Sequence, residues 1–335
     1  MLFRLIKDNL THHAIYRALQ ERLLSLRILE YRRKQAYFMC PLTDEYENNR
    51  RDGWTIDWAQ TFSVRVISNE YNVGPASLLG RNIDNSECFR NLWIAVIEIY
   101  TARQLTFAAD RALAISGIAR QIAAMDKTGS SAVYVAGNWL SLFPFILTWT
   151  SNFWSAMSET ANVRRIPSWS WTSVNIPVSF AHDLLQHNSL AQLVSHELKL
   201  RDQSAPFGDV VGATLTISAC VFTKRCRITD RNTWHGTRLL FNATWKNLGV
   251  VFLDSPIDSQ GRKYMLTLVV LMEHNSSNSC EVSGIVVAEE PSRNERRTFV
   301  RLGSWKASQV LHDSAKRAKM MRSFTKFEFE TFDLV

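Results

Sequence analysis

The chain is 335 residues long, with 46% hydrophobic and 21% charged residues, a length and balance that suit one large or two modest globular domains. Trp (11) and Phe (18) are plentiful while Gly (13) and Pro (8) are few, which excludes collagen-like, low-complexity and disordered chains. The formal net charge of +8 comes from 39 basic and 31 acidic residues that are interspersed, so the excess lacks the clustering of a nucleic-acid footprint.

Thr11 is placed to cap a helix in which Ile15, Ala18, Leu19, Leu23 and Leu26 form one apolar stripe, and two β-prone runs, 27–31 and 35–40, follow as a hairpin. Residues 41–85, with Asp52-Gly53 and Gly74-Pro75, read as connecting segments. A helix is expected from Ser86, where Phe89, Leu92, Trp93, Val96, Ile97 and Tyr100 recur at helical period behind Glu87, and a second over Ala109–Met125. Trp139 and Trp149 bracket an aromatic and aliphatic block, 140–147, that belongs in a core.

From Ser168 onward the pattern changes to short alternating runs over 168–174, 214–222, 237–240, 249–253, 264–272, 283–287 and 298–302, interrupted by one helix over Ala181–Leu193. Such spacing predicts an antiparallel sheet curled into a sandwich or partial barrel. The basic stretch Ser308–Met321 reads as a helix, and the aromatic, acidic residues after it as a frayed or weakly docked tail. The fold class expected is therefore α+β, with a helical N-terminal half packed on a C-terminal antiparallel β-sheet.

Several segments, taken together, resemble a known family. Leu19-Gln20-Glu21-Arg22-Leu23-Leu24-Ser25, Tyr100-Thr101, Leu105-Thr106, Asp110-Arg111 and Ala114-Ile115-Ser116-Gly117-Ile118-Ala119 come first, followed by Tyr134-Val135-Ala136-Gly137-Asn138-Trp139 and Leu147-Thr148-Trp149. Pro167-Ser168-Trp169-Ser170-Trp171-Thr172-Ser173-Val174 is the most distinctive of them. Phe207-Gly208-Asp209, Gly212–Ile217, Gly284–Val287 and Phe299-Val300-Arg301-Leu302-Gly303 complete the series. In this order they resemble the fungal heterokaryon-incompatibility (HET) family over roughly residues 17–305. Departures fall at Ala112-Leu113, where the family has Pro, at Asn138, where it has Leu, and at Phe38-Met39, where it tends to Trp and Glu.

The resemblance implies that residues 1–40 are the closing helix and hairpin of the HET block, 41–166 a mainly helical region, 167–306 the antiparallel β region and 307–335 a basic helix and tail. It also implies that most of the N-terminal HET effector block, which is distantly similar to TIR folds and is thought to trigger cell death, is missing before Met1. The chain would then be a truncated cytoplasmic scaffold or sensing module of nonself recognition and programmed cell death. A HET-type protein partner is implied, and no enzyme activity.

The residues singled out for a structural role are Trp139, Trp149, Trp169, Trp171, Asp110, Gly117 and Gly137. Alternation over Ser168-Trp169-Ser170-Trp171 puts both indoles on one strand face, as core packing or a ligand platform. Asp110 is placed to cap a helix, and Ser116-Gly117 to permit close helix approach rather than to supply a nucleophile, since no G-x-S-x-G elbow surrounds it. His182, His187 and His196 lack the spacing of a metal site. A hydrolase alternative rests on Cys40 with His12-His13, or on His182.

Cys40, Cys88, Cys220, Cys226 and Cys280 are widely spaced without a C-x-x-C pair and read as reduced thiols. Arg4, Lys7 and Asp8 interrupt the first apolar stretch, so glycosylation at the Asn9, Asn242 and Asn275 sequons is not expected. No run reaches the roughly 18 apolar residues of a membrane span. No Gly-rich phosphate loop is present, so no cofactor is expected. A nucleic-acid-binding module, built on the short basic runs that include Arg296-Arg297, is the other alternative.

Overall fold

The computed structural model of the chain describes residues 2–5, 28–31, 36–39, 44–46, 83, 85–102, 111–151, 166–180, 187–230, 238–242, 248–254, 263–275, 279–291, 296–310 and 329–335. In 2–5, 28–31, 36–39, 44–46, 187, 224–230, 238–242, 248–249, 263–264, 275, 279–280 and 308–310 it describes the backbone alone. Two compact units divide the chain, Met1–Tyr134 and Val135–Val335.

In the first unit, β1 (Leu2–Leu5) pairs parallel with β2 (Ile28–Tyr31), and β3 (Ala36–Met39) and β4 (Asp44–Tyr46) follow antiparallel. The hairpin expected over 27–31 and 35–40 is thus β2–β3, with Ile28 opposite Met39. Helix α1 (Ser86–Thr101) starts where Asn85 accepts the Cys88 N–H at 2.7 Å, and it buries Phe89, Trp93 and Ile97 completely. Helix α2 (Arg111–Met125) buries Ile115, Ile118, Ala119 and Ile122. The Tyr100 hydroxyl, at the end of α1, donates to the Arg111 carbonyl at 2.8 Å and ties the two helices together. Neither helix is long and apolar enough to cross a membrane.

β5 (Tyr134–Val135) straddles the boundary between the units, and β6 (Asn138–Trp139) opens the second. Two 3-10 turns, Leu140–Leu142 and Phe145–Leu147, lead to β7 (Thr150–Ser151), which pairs with β8 (Val178–Ser179). The remainder is β9 (His187–Ser189), β10 (Gln192–Leu200), β11 (Val210–Asp230), β12 (Arg238–Asn242), β13 (Leu248–Leu253), β14 (Lys263–Asn275), β15 (Ser279–Glu290), β16 (Thr298–Val310) and β17 (Phe329–Leu334). Pairing runs β11–β12–β13–β16–β15–β14 and returns to β11, so these six strands close on themselves as a barrel. Closure needs the length of β11. Its first half pairs with β10 and β17, and its second with β14 and β12.

Alternation along the barrel strands sends Leu215, Ile217, Leu268, Ile285, Phe299 and Trp305 into a dry core. There the Trp305 indole crosses the middle of β15 at Gly284 and donates to the Val269 carbonyl of β14 at 3.0 Å. A side chain at Gly284 would forbid this, since a Cβ there would sit 1.8 Å from the Val269 oxygen and 2.9 Å from the indole nitrogen. Phe222 meets the same indole edge-on at 5.8 Å.

The expected α+β class, a helical N-terminal half packed on a C-terminal antiparallel β-sheet, is overturned: the described residues are mostly strand. The first unit carries its own four-stranded sheet beside two α-helices, and the aromatic block over 140–147 forms only single 3-10 turns. Among the described residues the alternating runs from 214 to 302 are strands, but the parallel β1–β2 and β16–β17 pairs depart from a purely antiparallel arrangement.

Three further expectations change. Of the helix expected over Ala181–Leu193, residues 181–186 lie outside the described residues, and 187–193 lie in or beside strands because pairing with β14 and β11 outweighs a weak helical pattern. Ser168–Val174, expected as a strand, is a turn followed by a 3-10 turn over Trp171–Ser173. The last residues, expected to fray, form β17 with Phe332 and Leu334 fully buried. Ser308–Val310 belong to β16, and the rest of the expected basic helix lies outside the described residues, as do the helix over 15–26 and Asp110.

Gly284→Ala forces β14 away from β15, and the expected loss is about 3 kcal/mol in urea unfolding. Gly212→Ala, where nothing stands within 4 Å of the added carbon, is the control and shifts stability by less than about 0.5 kcal/mol.

Candidate functional site

The second unit buries Trp139, Trp149, Trp169 and Trp171, each with no exposed surface, and Trp139 meets Phe207 edge-on at 5.9 Å. Position begins with a tight turn at Ala136-Gly137, both at positive φ (47° and 84°). Glycine suits the second position because a Cβ would lie 2.9 Å from the Thr172 methyl and 3.2 Å from the Trp171 ring. The Trp171 indole donates to the Gly137 carbonyl at 2.8 Å, and the Ser170 hydroxyl donates to the Ala136 carbonyl at 2.6 Å. Ser170 also accepts the Thr172 N–H at 3.0 Å, which turns the chain and explains why Ser-Trp-Ser-Trp is not a strand. The serines are therefore not on an open face; Ser170 is as buried as its neighbours.

Trp149 donates its indole N–H to the Trp169 carbonyl at 3.1 Å and offers its ring face to Arg301, whose guanidinium carbon lies 3.3 Å from the ring centroid. Arg301 is fully buried. Its Nη2 donates to the Trp149 carbonyl at 2.6 Å and to Asp254 Oδ1 at 3.2 Å, and its Nε donates to the Gly303 carbonyl at 3.2 Å. The Arg301 N–H donates to Ser168 Oγ at 2.8 Å, and the Ser168 hydroxyl donates to the Val335 carbonyl. Burial pushes the Asp254 carboxyl up to about 6, with Arg301 pulling it back, and burial lowers Arg301 to about 10.

A carboxyl near 6 is able to exchange a proton close to neutrality, but its surroundings are those of a structural pair. The nearby Ser151 hydroxyl donates to the Leu253 carbonyl at 3.1 Å, so it is committed to the backbone. Among the described residues no group of three His, Cys, Asp or Glu side chains is placed to hold a metal ion. Polar atoms of the cluster do remain: Trp169 Nε1, Asn138 Oδ1 and Arg301 Nη1 are buried without a hydrogen-bond partner.

Gly117 lies half-buried within α2, and the Ser116 hydroxyl donates to the Leu113 carbonyl at 2.7 Å. His196 is exposed on β10, while Cys40, His12, His13 and His182 lie outside the residues with described side chains. Burial first and Glu330 second push the Cys220 thiol up to about 11, so it stays protonated. Arg296 and Arg297 face carboxylates, Asp333 at 3.7 Å and Glu289 and Glu330 at 2.8 and 2.9 Å.

Arg301 and Asp254 were not singled out by sequence reasoning. A signal existed for the first: residues 299, 301, 303, 305 and 307 share the buried face of β16, and Arg301 is the one charge on it. Asp254 follows directly after β13 and has no comparable signature.

Arg301→Met alone leaves the Asp254 carboxylate buried and unpaired, for an expected loss of about 3 to 5 kcal/mol, and adding Asp254→Leu recovers at least half of it in urea unfolding. Asp254 also sets a pH dependence. Its folded pKa, about 6, lies above the ordinary 3.8, so its contribution is complete below the lower value and is lost as pH rises through the upper one. The stability of the native chain minus that of Asp254→Asn is expected to fall between about pH 4 and pH 7, on the order of 2 kcal/mol, in denaturant titrations across that range.

Set beside known proteins, the chain matches no protein-family model, no curated protein and no solved structure.

Proposed function

We propose that the chain is a non-catalytic scaffold or sensing module of HET-type nonself recognition, acting through a protein partner. The observation that carries this reading is the mutual packing of the segments on which the HET resemblance rests. Ala136–Trp139, Trp149, Ser168–Ser173 and Arg301–Gly303 are joined by buried hydrogen bonds from Trp149, Ser170, Trp171 and Arg301. Residues that build a support spend their polar groups on one another and on the backbone. The hydroxyls of Ser168, Ser170 and Ser173 all donate to main-chain carbonyls, which suits a support better than a reaction centre. A nucleic-acid reading gains nothing from Arg296 and Arg297, whose charges face Asp333, Glu289 and Glu330.

Expression of the chain in a filamentous fungus, alone and together with a full-length HET-type protein, tests this proposal. Alone, it is expected to leave viability unchanged; together, it is expected to co-purify with the full-length protein and alter the extent of cell death. Cell death or substrate turnover by the chain alone, lost on changing one polar side chain while folding survives, would overturn the reading.

A further inference from the structure

We propose that the groove between β11 and β16 is an acceptor site for an extended segment of a partner protein that carries acidic residues beside aromatic and aliphatic anchors, and that β17 occupies it in cis. This goes beyond the HET-type reading and rests on the strand register alone, although the Val335 carbonyl that follows β17 also accepts from Ser168 of the tryptophan-rich segment.

Recognition of β17 is of the strand-addition kind, with main-chain bonds on both sides and alternate side chains in pockets. Along β11 it pairs antiparallel over six residues, from Leu215 opposite Leu334 to Cys220 opposite Phe329. Along β16 it pairs parallel over two, and the Asp333 and Val335 N–H groups donate to the Arg297 and Phe299 carbonyls, both at 3.0 Å. β17 pairs parallel with β16, so a hairpin turn does not dictate where it lies. The groove does.

Two side chains anchor the segment. Phe332 meets the edge of Phe299 at 5.1 Å and Leu334 lies opposite Leu215, both fully buried, whereas Phe329 is 57% exposed. The lip of the groove reads charge. Glu289 on β15 grips Arg297 through Nε and Nη2, at 3.0 and 2.8 Å, and thereby fixes the guanidinium without help from β17. The remaining nitrogen, Nη1, faces both oxygens of Glu330 at 2.9 and 3.1 Å. Thr216 donates its hydroxyl to Asp333 at 2.8 Å, with Arg296 3.7 Å from the same carboxylate. An occupant is therefore selected by an acid at the position of Glu330, an anchor at Phe332, an acid at Asp333 and an anchor at Leu334.

The test is competition between the tethered strand and a free one, read by fluorescence anisotropy of a labelled peptide with the sequence of Phe329–Val335. Apparent affinity scales with the fraction of chains whose own strand is out of the groove. The full chain carrying Phe332→Ala, which has lost an anchor on its own strand, is expected to bind the peptide at least about ten-fold more tightly than the native chain. A peptide with lysine in place of both acids is expected to bind at least about ten-fold more weakly. If Phe332→Ala fails to give the native circular dichroism spectrum, the full chain carrying Glu330→Lys and Asp333→Lys, with both anchors kept, takes its place. The proposal is overturned if the folded variant binds the peptide no better than the native chain, or if the lysine peptide binds equally well. It is equally overturned, in favour of strand exchange between two copies, if the native chain sediments as a dimer that the peptide dissociates.

Discussion

A single buried cation, the Arg301 guanidinium, sets the terms on which the second unit closes. Taking such a charge out of water costs several kcal/mol unless carboxylate and carbonyl oxygens meet it. Asp254 supplies the first from the end of β13, Trp149 the second from the tryptophan-rich segment, and Gly303 a third group from β16 itself. The indole of Trp149 then covers one face of the guanidinium plane. Three stretches far apart in sequence must be in register before Arg301 can make these bonds, so the tryptophan segment and the barrel strands are ordered by the same side chain.

Around that charge, the aromatic side chains are held by direction as much as by area. Trp149, Trp171 and Trp305 each aim an indole N–H at a named carbonyl, of Trp169, Gly137 and Val269. An indole that is both buried and hydrogen-bonded has one orientation in which it fits, and smaller aliphatic residues would fill the volume without fixing the angle. Glycine is the counterpart. At Gly284 and Gly137 an added Cβ would crowd the indole, at 2.9 and 3.2 Å, as well as a second neighbour, so each tryptophan and its glycine form one packing unit.

Local periodicity made the helices and most barrel strands legible from the sequence. The stripe Phe89, Trp93, Ile97 and Tyr100 is a property of neighbouring residues, and the same holds for alternation along β16. What escaped depends on partners remote in sequence. Nothing near Phe329–Leu334 announces that β11 lies beside it, although Phe332 and Leu334 do alternate with Thr331 and Asp333. Ser-Trp-Ser-Trp mimics a strand by composition, yet Ser170 finds a closer bond in its own backbone. The cluster was half visible: its tryptophans stand out in the sequence, while the ion pair that orients them needs the barrel register to bring residues 254 and 301 together.

The register of β11 has a bearing on how the polypeptide reaches this state. Its partners β10 and β12 adjoin it along the chain, but β14 joins it after an intervening hairpin excursion and β17 lies more remote still. Loop-closure entropy grows with such separations and must be met before the distant contacts contribute, a topology that folds slowly. During synthesis, residues 210–230 emerge from the ribosome well before the segment that covers Leu215 and Ile217. Until it arrives, the nascent chain presents an open apolar strand edge, the kind of surface on which chaperones act and aggregation begins.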